Sequence, residues 1–285
     1  MNITATSPTA LVWRRLLRHR LAQASLVFLA IMLVLSLAAP LIAQLRGIDP
    51  TATDLLRRLE PPSAQNWLGT DELGRDMLSR LIVGARLSLF MGLTPVLLAF
   101  VLGTSLGLLA GYAGGWINSA IMRTVDVLYA FPSVLLAIAL SGALGAGIFN
   151  ALLSLTIVFT PPIVRVAESV TTQVRGRDFV EAARASGASA LTIVRVHVLG
   201  NVLGPIFVYA TSLIAVSMIL ASGLSFLGLG VRPPEPEWGL MLNTLRQAIY
   251  VNPLLAALPG VMIFITSICF NLMSDGLRAA MDVKA

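Results

Sequence analysis

Charge is scarce in this sequence. Only 12% of its 285 residues are Asp, Glu, Lys or Arg, and 56% are hydrophobic, whereas about a quarter of a soluble chain is charged. The mean hydropathy is +0.85. So much apolar surface cannot be hidden inside one water-soluble globule of this length; it needs lipid as a solvent. Lysine is almost missing, with Lys284 alone at the carboxy end, so no G-x-x-x-x-G-K-[ST] phosphate loop exists. A nucleotide-hydrolysing site of that kind is excluded, and energy other than an ion gradient must come from a partner. The single cysteine, Cys269, rules out an internal disulfide and a cysteine-rich metal site. His19 and His197 lie far apart in different charged segments, and no H-E-x-x-H occurs. No catalytic residue and no metal-ligand set emerges.

Long charge-free runs are what the chain has instead. They cover residues 21–45, 87–122, 127–164, 196–231 and 247–274. A transmembrane helix needs about 20 mostly apolar residues. The first run fits one helix. The second is broken by Gly111-Tyr112-Ala113-Gly114-Gly115, which leaves a helix over about 87–110. The third is too long for one crossing and is cut at 142–147, which gives helices over about 117–141 and 149–166. The last two runs hold helices over about 202–224 and 253–274. The expected fold is all-α, a polytopic membrane protein with six crossings. A β-barrel would alternate with period two, and these runs are solidly apolar. The first run exceeds the apolar core of a signal peptide, about 7–15 residues, and reads as an uncleaved anchor.

Charge orients the six crossings. With the amino terminus inside, twelve of the twenty basic residues and six of the fourteen acidic ones fall inside, so the whole net charge of +6 lies there. The basic bias follows the positive-inside rule and places both termini in the cytoplasm. It rests mainly on Arg14, Arg15, Arg18 and Arg20, because the first outer loop carries six arginines of its own. The basic residues flank membrane spans without aromatic interleaving, which argues against a nucleic-acid surface. In that outer loop, Leu73, Met77, Leu78, Leu81 and Ile82 share one face, the pattern of an amphipathic helix lying along the membrane surface. The chain divides into a segment 1–45 with the anchor, an outer loop 46–86 and a helical core 87–285.

The inner loop 165–200 is the most informative. Residues 165–195 read as two short helices. The second has Asp178 as candidate cap, an alanine-rich middle, Glu181 and Arg184 as a charge pair, and Gly187 as a helix-ending turn. A short stiff helix projecting from a membrane bundle suits transmission of a push from a soluble partner; a plain surface helix is the alternative. Asp126 and Arg123, three apart, read as a local anchoring pair. Polar groups inside spans face protein or a cavity; the candidates for lining a path are Asn118, Thr156, Thr160, Ser212, Ser217, Ser222 and Asn271, with helix–helix packing the competing role for the hydroxyls.

Glu181-Ala182-Ala183 followed by Gly187 resembles the E-A-A-x3-G loop of ABC importer permeases. The rest of that motif, I-x-L-P, is replaced here by His197-Val198-Leu199-Gly200, with Pro205 as a substitute for the missing proline. Leu68 to Asp76 (LGTDELGRD), Leu224 to Pro234 with Glu237-Trp238-Gly239, and Asn271 to Arg278 resemble further signatures of the dipeptide/oligopeptide branch. The resemblance spans nearly the whole chain, and the anchor before a five-helix core is similar to the "C"-type permeases. It implies a type I ABC importer core in the bacterial inner membrane, with Asp178, Glu181, Ala182, Ala183, Arg184 and Gly187 in the coupling loop. It further implies a second related permease, two ATPase subunits holding ATP and Mg, and a periplasmic or lipid-anchored binding protein; no cofactor is expected on this chain. Dipeptides and oligopeptides are the implied cargo, with glutathione or nickel chelates as alternatives. From a different class, an ion-coupled carrier or a membrane scaffold remains open.

Overall fold

A computed structural model describes residues 13–46 and 49–281; Lys284, Asp282 and the start of the amino-terminal segment lie outside them. Nine α-helices of seven residues or more, with shorter helical turns between some of them, form the described bundle: α1 (Arg20–Arg46), α2 (Met77–Ala113), α3 (Gly115–Tyr129), α4 (Ser133–Leu144), α5 (Ile148–Arg175), α6 (Asp178–Ala185), α7 (Leu199–Phe226), α8 (Trp238–Thr244) and α9 (Pro253–Met281). Five helical stretches are long and apolar enough to cross a membrane by themselves. The sixth expected crossing is the pair α3–α4, bent by 90° at residues 130–132. The reason is Pro132, which restricts the residue before it to extended backbone and ends the helix there.

Close packing of α2 on α5 organises the bundle. Gly103 faces Ile163 and Thr160, Gly107 faces Ala167 and Val164, and Gly111 faces Glu168 and Thr171. A glycine every fourth residue makes a flat stripe on α2, and small residues are what allow close helix approach in lipid. A Cβ placed on Gly107 would sit 2.4 Å from the Ala167 Cβ and 2.7 Å from the Val164 carbonyl oxygen. Both partners ascend together, so α2 and α5 run parallel. The segment between them must return across the bundle, and the bent pair therefore makes one net crossing.

The remaining contacts give the sides. Gly92 meets Met218 and Gly84 meets Pro236, so α7 runs antiparallel to α2. Gly204 lies against Met281 and Thr211 bonds Ser274 at 3.0 Å, so α9 runs antiparallel to α7. Gly276 of α9 packs on Ala22 and Leu16 beside α1. Both described ends therefore share the face of the bundle that carries α6.

Helix ends depart from the hydropathy. α2 starts at Met77, ten residues before its charge-free run, so the expected surface helix is simply its first turns. Met77 and Leu81 are buried there, and so is Arg80, 3% exposed. Asp71 accounts for this: its Oδ2 lies 2.7 Å from Arg75 Nε and 3.3 Å from Arg80 Nε. Its Oδ1 accepts from the amides of Leu73 and Arg75. Asp76 caps α2, accepting from Ser79 N at 2.9 Å. α5 likewise continues to Arg175, so the first of the two short helices expected over 165–195 is the end of a spanning helix.

Opposite the α6 face, a second tie joins α2, α7 and α8. Glu237, 1% exposed, caps α8 by accepting from Gly239 N and Leu240 N, each at 2.9 Å, and from Ser88 Oγ at 3.3 Å. Trp238 donates its amide to Ser88 Oγ at 3.0 Å and its indole N–H to Leu81 O at 2.9 Å. Burial pushes the Glu237 carboxyl above its ordinary value of 4.5, against the opposite pull of its hydrogen bonds from Gly239, Leu240, Ser225 and Ser88.

Two outcomes follow from this packing. Gly107→Val overpacks the α2–α5 contact and costs about 1–3 kcal/mol; the thermal midpoint in detergent should fall, and an unchanged midpoint refutes the contact. Raising an acid's folded value makes its stabilising contribution full below 4.5 and lost as pH rises through the elevated value. Glu237→Gln should therefore gain on the wild type as pH climbs above 4.5. Parallel pH profiles of thermal stability for the two proteins would contradict it.

Candidate functional site

The inner-loop residues singled out from sequence come together on α6. Gly187, at φ +81, follows the last helical turn in the left-handed region that favours glycine. Its N–H donates to Arg184 O at 3.0 Å, and Ala188 N–H reaches back to Ala183 O at 3.1 Å. These two bonds form a Schellman closure, so the helix stops at a fixed residue. Asp178 does not cap: the cap position is Arg177, without a side-chain bond, and Asp178 is the first helical residue. Asp178 and Glu181 still place two carboxylates in the first turn and Arg184 a cation in the last, both favourable to the helix dipole. No ion pair joins Glu181 to Arg184 among the described residues, which leaves both charges to the surface.

Val180 is the anchor of α6. It is fully buried and belongs to the same apolar cluster as Ile193 and Val198. Asp178, Phe179, Glu181, Ala182 and Arg184 are exposed. One side of α6 is thus locked to the bundle, and the other offers a carboxylate, a cation, a ring and small residues. Beyond it, Ala190–Thr192 makes a helical turn that passes through a π-helical stretch, Ile193–Val198, straight into α7. The π stretch ends at Val198, and Gly200, which stands where the resembled motif has its proline, lies in the first turn of α7. Helix continues through this point, and Pro205 lies inside α7 rather than at a bend.

The seven candidate path residues do not form one site. Asn118 ties helices at the α6 face, donating to Glu168 Oε1 at 2.7 Å and to Ala110 O at 3.3 Å. Thr156, Thr160 and Ser212 each bond a carbonyl of their own helix at 2.7 Å. Ser217 is fully buried, and its hydroxyl has no partner among the described residues. Only Ser222 and Asn271 share a cavity, an apolar groove of about 560 Å³ between α7 and α9.

Sequence reasoning missed one polar constellation. Asp126 pairs with Arg165 of α5, not with Arg123: Arg165 Nη2 lies 2.6 Å from Asp126 Oδ1. The Arg165 guanidinium also sits 4.6 Å from the centre of the Tyr129 ring. Its signal was present, because Asp126 and Arg165 are the two charges that bound the apolar run 127–164. Their closeness comes from the packing of α3 on α5, which Asn118 and Glu168 also join.

Comparison with known proteins places this geometry. Residues 103–284 match the model of the binding-protein-dependent transport system inner membrane component, and residues 7–62 match the N-terminal TM domain of oligopeptide transport permease C. The glutathione transport system permease protein GsiD of Pectobacterium atrosepticum is 41% identical over 95% of this chain and 90% of its own length. The dipeptide transport system permease protein DppC of Alkalihalophilus pseudofirmus is 41% identical over 99% of this chain and 91% of its own length. Among solved structures, an inward-facing conformation of the MetNI methionine ABC transporter superposes with a TM-score of 0.59 at 20% identity, covering 72% of this chain and 97% of that one. The fold is that of an ABC importer permease, and the chain belongs to the binding-protein-dependent inner membrane components, in their peptide/oligopeptide branch.

Proposed function

We propose that this chain forms, with a second related permease, the membrane pathway of an ATP-driven importer of small peptides. A periplasmic or lipid-anchored binding protein delivers the cargo, and two ATPase subunits, which hold ATP and Mg, bind on the α6 face. The observation that carries the reading is α6 itself, a helix fixed by Val180 and the Gly187 closure, with Glu181, Ala182 and Arg184 turned outward. Such a helix passes movement of a docked subunit into α7 through the π-helical stretch. Closure of the ATPase pair on ATP moves the two coupling helices together and opens the bundle outward; hydrolysis returns it. The cycle requires that ATP favour one bundle state over the other.

The α6 face is the cytoplasmic one in this reading, with both termini on it, in the inner membrane of a bacterium. The basic excess of the segments on that face supports this orientation. Dipeptides, oligopeptides and the tripeptide glutathione form one cargo class, and equal identity to a dipeptide and a glutathione permease supports the class rather than one member.

Complexes purified with the partner permease and ATPases and reconstituted in proteoliposomes should take up peptide only with ATP. Uptake that persists with hydrolysis-dead ATPases overturns the proposal. Glu181→Lys reverses a charge on the docking face and should cut ATPase copurification by about tenfold, as for a charge-assisted contact worth 1–2 kcal/mol. Undiminished copurification would move the docking site away from α6.

A further inference from the structure

Two ion-pair clusters among the described residues differ in what they leave free. Arg75 and Asp71 are 5% and 3% exposed, and the Asp71 oxygens are saturated by Arg75, Arg80 and backbone amides. That cluster is a strut. Arg165 and Asp126 are 45% and 42% exposed and meet through one contact at 2.6 Å. A guanidinium has five N–H donors and a carboxylate two oxygens, so most of the hydrogen-bonding capacity of this pair points away from it. Charges within a membrane bundle face protein or a water-filled cavity rather than lipid.

A cavity reaches this pair through Tyr129, while Arg165 and Asp126 stand outside its wall. It measures about 280 Å³ and lies at the α3–α4 bend, lined by Tyr129, Phe131 and Ser133 together with Pro161 of α5 and Tyr209 and Val216 of α7. Tyr129 belongs both to the cavity wall and to the face stacked on Arg165. The volume is close to the lower end for small-molecule sites, about 300 Å³. α1 packs on α2 and α9, away from the bend.

We propose that Arg165 and Asp126 form a contact site for the two charged ends of a zwitterionic peptide crossing the bundle, Arg165 for its carboxylate and Asp126 for its ammonium. The inference rests on the importer reading above and names residues of this chain that touch the cargo. Its physical basis is exchange: peptide charges replace the Arg165–Asp126 contact, so neither side chain is left without a charged partner. A peptide carries both signs, and only a site with both can exchange in this way. Tyr129 holds the guanidinium while its partner changes.

The test uses the complete complex in proteoliposomes, with dialanine, trialanine and glutathione as probes. Asp126→Asn and Arg165→Gln should each lower ATP-dependent uptake by about tenfold, as for loss of one charge-assisted contact to the cargo, while the subunits still copurify. The exchanged variant Asp126→Arg with Arg165→Asp restores an ion pair but reverses its polarity. It should restore assembly wherever a single variant weakens it, and should leave uptake low. Wild-type uptake in the exchanged variant makes the pair a strut and overturns the inference, as does unchanged uptake in both neutralised variants. A wild-type complex that takes up none of the three probes overturns the importer reading itself, which separates the two failures.

Discussion

The approach of α2 to α5 over three glycines is the constraint on which the rest of the structure depends. In lipid no hydrophobic force draws two apolar helices together, so contact must be won by close fit. Gly103, Gly107 and Gly111 leave no side chains in the way, and Ile163, Ala167 and Thr171 fill the space. The parallel sense of that contact is costly in topology, since it demands a return crossing between the two helices. α3 and α4 supply it with a right-angled bend; the cavity lies at that bend, and the packing of α3 on α5 sets Asp126 beside Arg165. One packing decision thus determines the handing of the chain from face to face and the only half-exposed ion pair described within the bundle.

The two faces are then built for different tasks. On the face away from α6, polar groups are consumed internally: Asp71 by two arginines, Asp76 by the start of α2, Glu237 by the start of α8 and Ser88. Trp238 is fully buried between helices at that end. On the α6 face the charged residues of α6 are left outward, while a single valine does the anchoring. A closed end and an open, chargeable end suit a subunit driven from one side.

The crossings were legible because each sums hydropathy over about twenty residues, and errors at single positions average out. Their ends were not, because single long-range pairings set them. Arg80 is accommodated in α2 by Asp71 and by the Pro50 carbonyl, and Glu168 within α5 is met by Asn118 of α3. None of these partners is visible from local pattern. The α6 motif was readable to the residue at Gly187, where backbone geometry demands glycine, and misread at Asp178, where an acid suits the first turn as well as the cap. The path candidates could not be ranked from sequence for a general reason: a hydroxyl in a spanning helix can bond its own backbone, as Thr156 and Thr160 do, so polarity alone does not say which way it faces.

The glycine stripe also imposes an order in time. Gly107 and Ala167 are separated by about sixty residues of chain, and synthesis proceeds at about 5–20 residues per second. For several seconds α2 exists without the helix that completes it, its flattest surface bare to lipid or to the insertion machinery. The bundle is closed late, by its second half, and whatever shields that stripe in the interval is a participant in making this protein although it leaves no trace in the finished one.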